Sequence, residues 1–234
     1  LTQGGIVVIP TETVYGLAAN ACDEAAVSKI FSAKNRPADN PLIVHLYSVE
    51  QLEAISINIP QAAYRLFSRF SPGPLTLVLP RRESVPDIVS AGLDTVAVRI
   101  PSHPIARELL RLCKFPLAAP SANLSGRPSP TTFQMAVENM NGRADCVIDG
   151  GDCEIGLEST VAQLFPDGLR VLRPGSISAD ELSECSGLPV LSGQWREKEV
   201  NRSPGVKYRH YRPRATVYLA ETIQPELIKD RFPD

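Results

Sequence analysis

Apolar and polar positions along this 234-residue chain fall into short runs that mark out strands and helices in turn. Ile6-Val7-Val8-Ile9 is an unbroken apolar run stopped by Pro10, the pattern of a strand covered on both faces. The polar residues Thr11, Glu12 and Thr13 follow at once. Asp23 is placed to cap a helix over 24–35, whose apolar stripe is Val27, Ile30 and Phe31. Lys34 continues that stripe, so a lysine projects from the buried side at the helix C-terminal end, before Pro37 stops it. Over 42–46, Leu42, Val44 and Leu46 share one strand face, and Ile43 and His45 share the other. A helix over 61–70 ends at Pro72-Gly73-Pro74, and a strand follows over 75–79. The stretch 95–100 alternates: Val96, Val98 and Ile100 face one way, Thr95, Ala97 and Arg99 the other. Thr95 and Arg99 then stand roughly 13 Å apart with small Ala97 between them, leaving room for a ligand over the sheet.

The second half continues the alternation of elements. A helix is predicted over 104–113 with proline at its start, then a short strand over 117–119. A helix over 132–140 and a strand over 146–148 come next, then a hairpin of 159–164 and 169–172 around Pro166-Asp167-Gly168. Ser178 with Glu181 forms a capping-box pattern at the start of a further helix. From about Gly187 the chain turns polar. Residues 193–205 read as a linker, and 216–220 as the first strand of something new.

Composition narrows the class. With 43% apolar residues a sizeable core can form, and 21% charged residues are too few and too balanced for a disordered chain. The formal net charge of −2 provides no global basic field for nucleic acid, although a local basic cleft remains open. Five cysteines without a CxxC point to reduced thiols in a cytoplasmic protein. The three histidines lack zinc spacing, so no structural metal is expected. No apolar run approaches the ~20 residues of a membrane helix, and the first residues lack the basic region of a signal peptide.

Phosphate-loop, dinucleotide, nucleophile-elbow and HExxH motifs are all absent from the sequence. A serine hydrolase built on Ser121 or Ser159 stays open, because triads assemble in space. The sequence does carry polar residues at strand and helix ends: Thr11 and Thr13, Lys34 and Arg36, Ser121 and Asn123, and Arg173. Each has an ordinary reading as a cap, a turn former, a snorkelling lysine or a solvated arginine. Together they supply cations with hydroxyl and amide donors, a set suited to a polyphosphate ligand.

Longer motifs sharpen this. Pro10-Thr11-Glu12-Thr13-Val14-Tyr15-Gly16-Leu17, Lys34-Asn35-Arg36-Pro37 and Asn40-Pro41-Leu42 resemble the opening of the YrdC/Sua5 family. Pro72-Gly73-Pro74-Leu75-Thr76, Val98-Arg99-Ile100-Pro101, Ala119-Pro120-Ser121-Ala122-Asn123, Glu158-Ser159-Thr160 and Arg173-Pro174-Gly175 follow in the family's order. The resemblance implies an α/β (α+β) fold, an open twisted mixed sheet flanked by helices around a concave basic cavity. It implies a catalytic domain over 1–186, a linker or lid over 187–214, and over 215–234 the start of a second, Rossmann-like domain, incomplete in this sequence. The segment Ser203 to Pro213, with Tyr208, His210 and Tyr211, resembles the linker of the long Sua5 form, although Val206 stands where that form is expected to have Met.

The activity the family resemblance implies joins L-threonine, bicarbonate and ATP with Mg²⁺, giving threonylcarbamoyl-AMP and pyrophosphate. A separate threonylcarbamoyl-transferase complex then passes the group to an adenosine of tRNA. By the same resemblance Lys34 and Arg36 are the catalytic cations. Thr11, His45, Thr95, Arg99 and Ser159 line the threonine pocket, with Arg99 on the carboxylate. The nucleotide falls to Lys34, Arg36, Ala119, Ser121, Asn123, Ser129 and Arg173. The rival readings are a tRNA or double-stranded RNA binder without ATP turnover, and a carbamoyl-transfer enzyme with another acceptor.

Overall fold

The computed structural model describes residues 1–191. Its elements run β1 (Val7–Ile9), β2 (Gly16–Asn20), α1 (Glu24–Lys34), β3 (Ile43–His45), α2 (Leu52–Ile55), α3 (Gln61–Phe70), β4 (Leu75–Pro80), α4 (Asp87–Ser90) and β5 (Thr95–Arg99). They continue with α5 (Pro104–Cys113), β6 (Leu117–Ala118), α6 (Phe133–Met140), β7 (Cys146–Val147), β8 (Thr160–Phe165), β9 (Gly168–Arg173) and α7 (Ala179–Ser186). The strands form one nine-stranded sheet in the order β7-β1-β2-β6-β3-β5-β4-β8-β9. The sheet is mixed: β1 with β7, β3 with β5 and β4 with β8 are parallel, while the other neighbours run antiparallel.

The alternation in the central strands sorts side chains between two faces. Leu42, Val44, Leu46, Val96, Val98 and Ile100 enter the main core with Val27 and Ile30 of α1 and Leu66 and Phe67 of α3. Each such side chain, fully buried, contributes about 1.5–3 kcal/mol. The opposite face carries two smaller apolar clusters. One joins Ile9, Ala18 and Leu117 to Ala106 and Leu110 of α5. The other consists of Ile43, Val78, Ala97, Val161 and Leu172.

Local chemistry sets the helix ends. Asp23 accepts from the amides of Ala25 and Ala26 at the start of α1, and Asn35 closes that helix in the left-handed region at φ 50. Thr132 caps α6, and Ser178 with Glu181 completes a capping box on α7. At the sheet edge, the chain after α7 returns along β9: the Leu169 amide donates to the Pro189 carbonyl (2.9 Å), and the Leu191 amide to the Leu169 carbonyl (2.8 Å).

Three elements depart from the sequence reading. β2 is a strand of Gly, Leu and Ala whose small side chains give little periodic signal, yet it is buried between β1 and β6. The helices α2 and α4 have only four residues each, too short to show a helical period. Among the described residues no helix is long and apolar enough to cross a membrane.

Candidate active site

The sheet face opposite the main core holds a cavity of about 370 Å³. Register explains its floor. His45 of β3 pairs with Arg99 of β5, and Arg99 pairs with Thr76 of β4, so three polar side chains form a row across three strands. Ser159 extends the row, its hydroxyl 2.7 Å from that of Thr76. Arg173, the last residue of β9, closes on Ser159 with Nε and Nη2 donating to its carbonyl (3.1 and 3.0 Å) and Nη2 to its hydroxyl (3.0 Å). Gly175 lets this turn approach β8, because a Cβ there would lie 2.4 Å from the Thr160 amide and 2.7 Å from the Glu158 carbonyl.

Burial governs the electrostatics. His45 is 3% exposed, and burial, reinforced by the Arg99 charge, pushes its pKa down to about 3. The ring is therefore neutral near pH 7, and its Nδ1 donates to the Ile43 carbonyl at 3.2 Å. Arg99 is 4% exposed and ion-paired to Glu12, Nη2 to Oε1 at 2.6 Å. Burial alone would raise the Glu12 carboxyl, but the Arg99 guanidinium and the hydrogen bonds around it outweigh that and hold it below the usual range.

The walls come from loops. Thr11 begins a tight turn after β1: its hydroxyl donates to the Val14 carbonyl (2.6 Å) and accepts from the Thr13 and Val14 amides (3.3 and 3.2 Å). On another wall, Nη2 of Arg36 donates to the Asn40 and Pro41 carbonyls (3.3 and 3.2 Å). Ser129 donates to Glu158, the one carboxylate among the described residues that lines the cavity.

Of the candidates singled out from the sequence, Thr11, Arg36, His45, Arg99, Ala119, Ser121, Ser129, Ser159 and Arg173 line this cavity. Three do not. Thr95 sits at the far end of β5 opposite Pro80, beyond the apolar cluster of Ala97, Val78 and Ile43, so sharing a face with Arg99 does not bring it to the site. Lys34, 1% exposed, lies beneath the loop after β6, its Nζ donating to the carbonyls of Ser121 and Asn123. Burial, then the Arg36 charge, drives its pKa well below the usual lysine value. Asn123 is spent on the same loop: its Nδ2 donates to the carbonyls of Leu124 and Arg127 (2.9 and 2.7 Å), and its Oδ1 accepts from Ser121. Lys34 and Asn123 thus shape the wall on which Ser121 stands. Tyr208, His210 and Tyr211 lie outside the described residues.

Sequence reasoning did not single out Glu12, Thr76 or Glu158 as site residues. All three lie inside the motifs quoted above, so the signal was position within a motif next to a strand end.

Comparison with known proteins decides the kinship. Residues 1–175 match the Sua5/YciO/YrdC family model, described as telomere recombination. The chain belongs to the Sua5/YciO/YrdC family. Residues 177–231 match a second model, the threonylcarbamoyl-AMP synthase C-terminal domain. The threonylcarbamoyl-AMP synthase of Pyrococcus abyssi is 50% identical over 225 residues, covering 94% of this chain and 66% of that relative. The Bacillus subtilis threonylcarbamoyl-AMP synthase is 46% identical over 231 residues, covering 98% of this chain and 66% of the relative. A crystal structure of P. abyssi Sua5 complexed with L-threonine superposes with a TM-score of 0.85 at 51% identity, over 91% of this chain and 63% of that one. This Sua5-family chain therefore spans just under two thirds of the length of these relatives. Its mixed sheet flanked by helices is the architecture the motifs implied.

Proposed function

We propose that this chain makes L-threonylcarbamoyladenylate from L-threonine, bicarbonate and ATP, releasing pyrophosphate. The observation that carries this reading is the convergence of Arg36, Arg99 and Arg173 on one cavity that is also lined by the neutral His45 imidazole and by Ser159. The threonine amine adds to bicarbonate and water leaves, giving N-carboxy-threonine. One carboxylate oxygen of that carbamate attacks the α-phosphorus, the bond to the β-phosphate oxygen breaks, and pyrophosphate leaves. Nucleophile and polyphosphate are both anionic, so fixed cations must offset the charge gathered in the transition state. Arg36 and Arg173 are assigned to that work, and Arg99 to the threonine carboxylate. No protein nucleophile is needed, because holding the carbamate in line with the phosphorus supplies much of the rate.

Mg²⁺ would neutralise phosphate charge in this chemistry. No cluster of three or more acidic, histidine or cysteine ligands occurs among the described residues. An ion carried mainly by phosphates and water needs few protein ligands, and Glu158, which lines the cavity, is our candidate for one of them. A threonylcarbamoyl-transferase complex acting on tRNA would consume the product.

The test is pyrophosphate release from ATP, Mg²⁺ and bicarbonate, measured with and without L-threonine, with the product weighed by mass spectrometry. Threonine-dependent release with an AMP adduct of the expected mass is the predicted result. A folded full-length protein that releases no pyrophosphate with all substrates present would sink the reading.

A further inference from the structure

Arg99 has five N–H donors in a rigid plane, forming one side fork and one end fork. The side fork is consumed inside the protein: Nε donates to the Gly73 carbonyl (3.3 Å), and Nη2 to Glu12 Oε1 (2.6 Å). Nη1 has no hydrogen-bond partner among the described residues, and Arg99 lines the cavity. What remains for a ligand is the end fork, Nη1 with the second hydrogen of Nη2.

Glu12 is itself pinned. Its Oε2 accepts from the Ser102 amide (3.1 Å), its backbone carbonyl accepts from the Ile155 amide (2.8 Å), and its side chain is 4% exposed. It does not line the cavity, so it acts behind Arg99. The charges matter as much as the geometry. Arg99 and Glu12 sum to zero and His45 is neutral, so this part of the floor is locally uncharged while still offering two parallel N–H groups. A free amino acid is a zwitterion with no net charge and one carboxylate. A polyanion gains little from a compensated guanidinium.

The geometry points to Glu12 as the positioning residue that makes Arg99 an end-on clamp for a single carboxylate and, by cancelling its charge, turns multiply charged anions away from the amino-acid locus. This rests on the synthase reading above, and it adds a selectivity device to it. Loss of Glu12 leaves Arg99 held by the long Nε contact to the Gly73 carbonyl and leaves a buried cation that seeks any anion.

Glu12→Gln in the full chain tests the proposal, with L-threonine and ATP binding measured by calorimetry and inorganic sulfate as the competing anion. The expected result is threonine affinity reduced about 10-fold or more. ATP affinity should stay within about twofold, and sulfate should compete with threonine in the variant but not in the parent. A protein merely unfolded by the change would lose both ligands together. Should Glu12→Gln fail to fold, Arg99→Gln and the double variant decide: adding Glu12→Gln to Arg99→Gln should cost no further threonine affinity, because Glu12 acts only through Arg99. An additional loss there overturns the proposal, as does a Glu12→Gln protein that binds threonine as the parent does with no sulfate competition. A parent chain that binds no threonine overturns the synthase reading and this proposal with it.

Discussion

A neutral histidine sealed under the cavity makes stability depend on pH in a calculable way. In the unfolded chain His45 takes up a proton near pH 6.5; in the fold that is postponed to about pH 3. Between those values the unfolded state binds more protons, so stability is full above the unfolded value and falls as pH drops. With these values the loss is on the order of 1 kcal/mol between pH 7.5 and 5.5, and it grows further toward pH 4.5. The upper window is the cleaner one, because the lowered carboxylate of Glu12 adds its own loss, of the same sign, only as pH falls below its unfolded value of 4.5. Urea unfolding at pH 7.5, 6.5 and 5.5, with the m-value held common, reads the change directly. His45→Asn provides the control: its amide can replace the Nδ1 donor to Ile43, and it does not titrate. The variant should lose most of the pH slope whatever its absolute stability. A parent whose midpoint is flat across this window, or a variant with the parent's slope, would refute the assignment of a buried neutral ring.

Two further outcomes follow from the loop and turn that shape the cavity. Lys34→Met removes two donors from buried carbonyls of the Ser121–Asn123 loop and should cost about 3 kcal/mol. In a chain of this size that is a fall in Tm of roughly 6–12 °C by calorimetry, and an unchanged Tm would show that the lysine does not hold the loop. Gly175→Ala drives a methyl group into the backbone at Thr160 and Glu158 and should destabilise by about 2 kcal/mol or more, with ATP binding weakened as Arg173 shifts; a variant as stable as the parent in urea would count against that packing.

Much of this architecture was legible because local signals agreed with the fold. The helices over 61–70 and 104–113 have the bounds their breakers and apolar spacing imply, and the alternation of 95–100 places Val98 in the core and Arg99 at the cavity. β2 was hidden because Gly16, Ala18 and Ala19 are small, and their strand character comes from neighbours distant in sequence. The site was legible as a set of motifs, and less so as a set of roles. Whether a polar side chain faces a ligand or its own backbone depends on where the next loop passes, which spacing does not encode. For that reason spacing did not show that Lys34 and Asn123 bond the loop after β6, or that Thr11, which lines the cavity, also holds its own turn. Glu12 shows the converse: an unremarkable acid in sequence acquires meaning only once Arg99, 87 positions away, folds onto it.

The return of residues 189–191 along β9 bears on how open that edge of the sheet is. An open strand edge is a template on which another chain can extend the sheet, and proteins guard such edges with covering segments or charges. Here the backbone of Leu169 is already paired on that side by the stretch leaving α7, and Arg170 stacks its guanidinium on the Phe165 ring at 5.6 Å. Residues 189–191 thus occupy one position of that edge, and a chain cut just ahead of Pro189 is expected to leave the Leu169 backbone open to pairing with another chain.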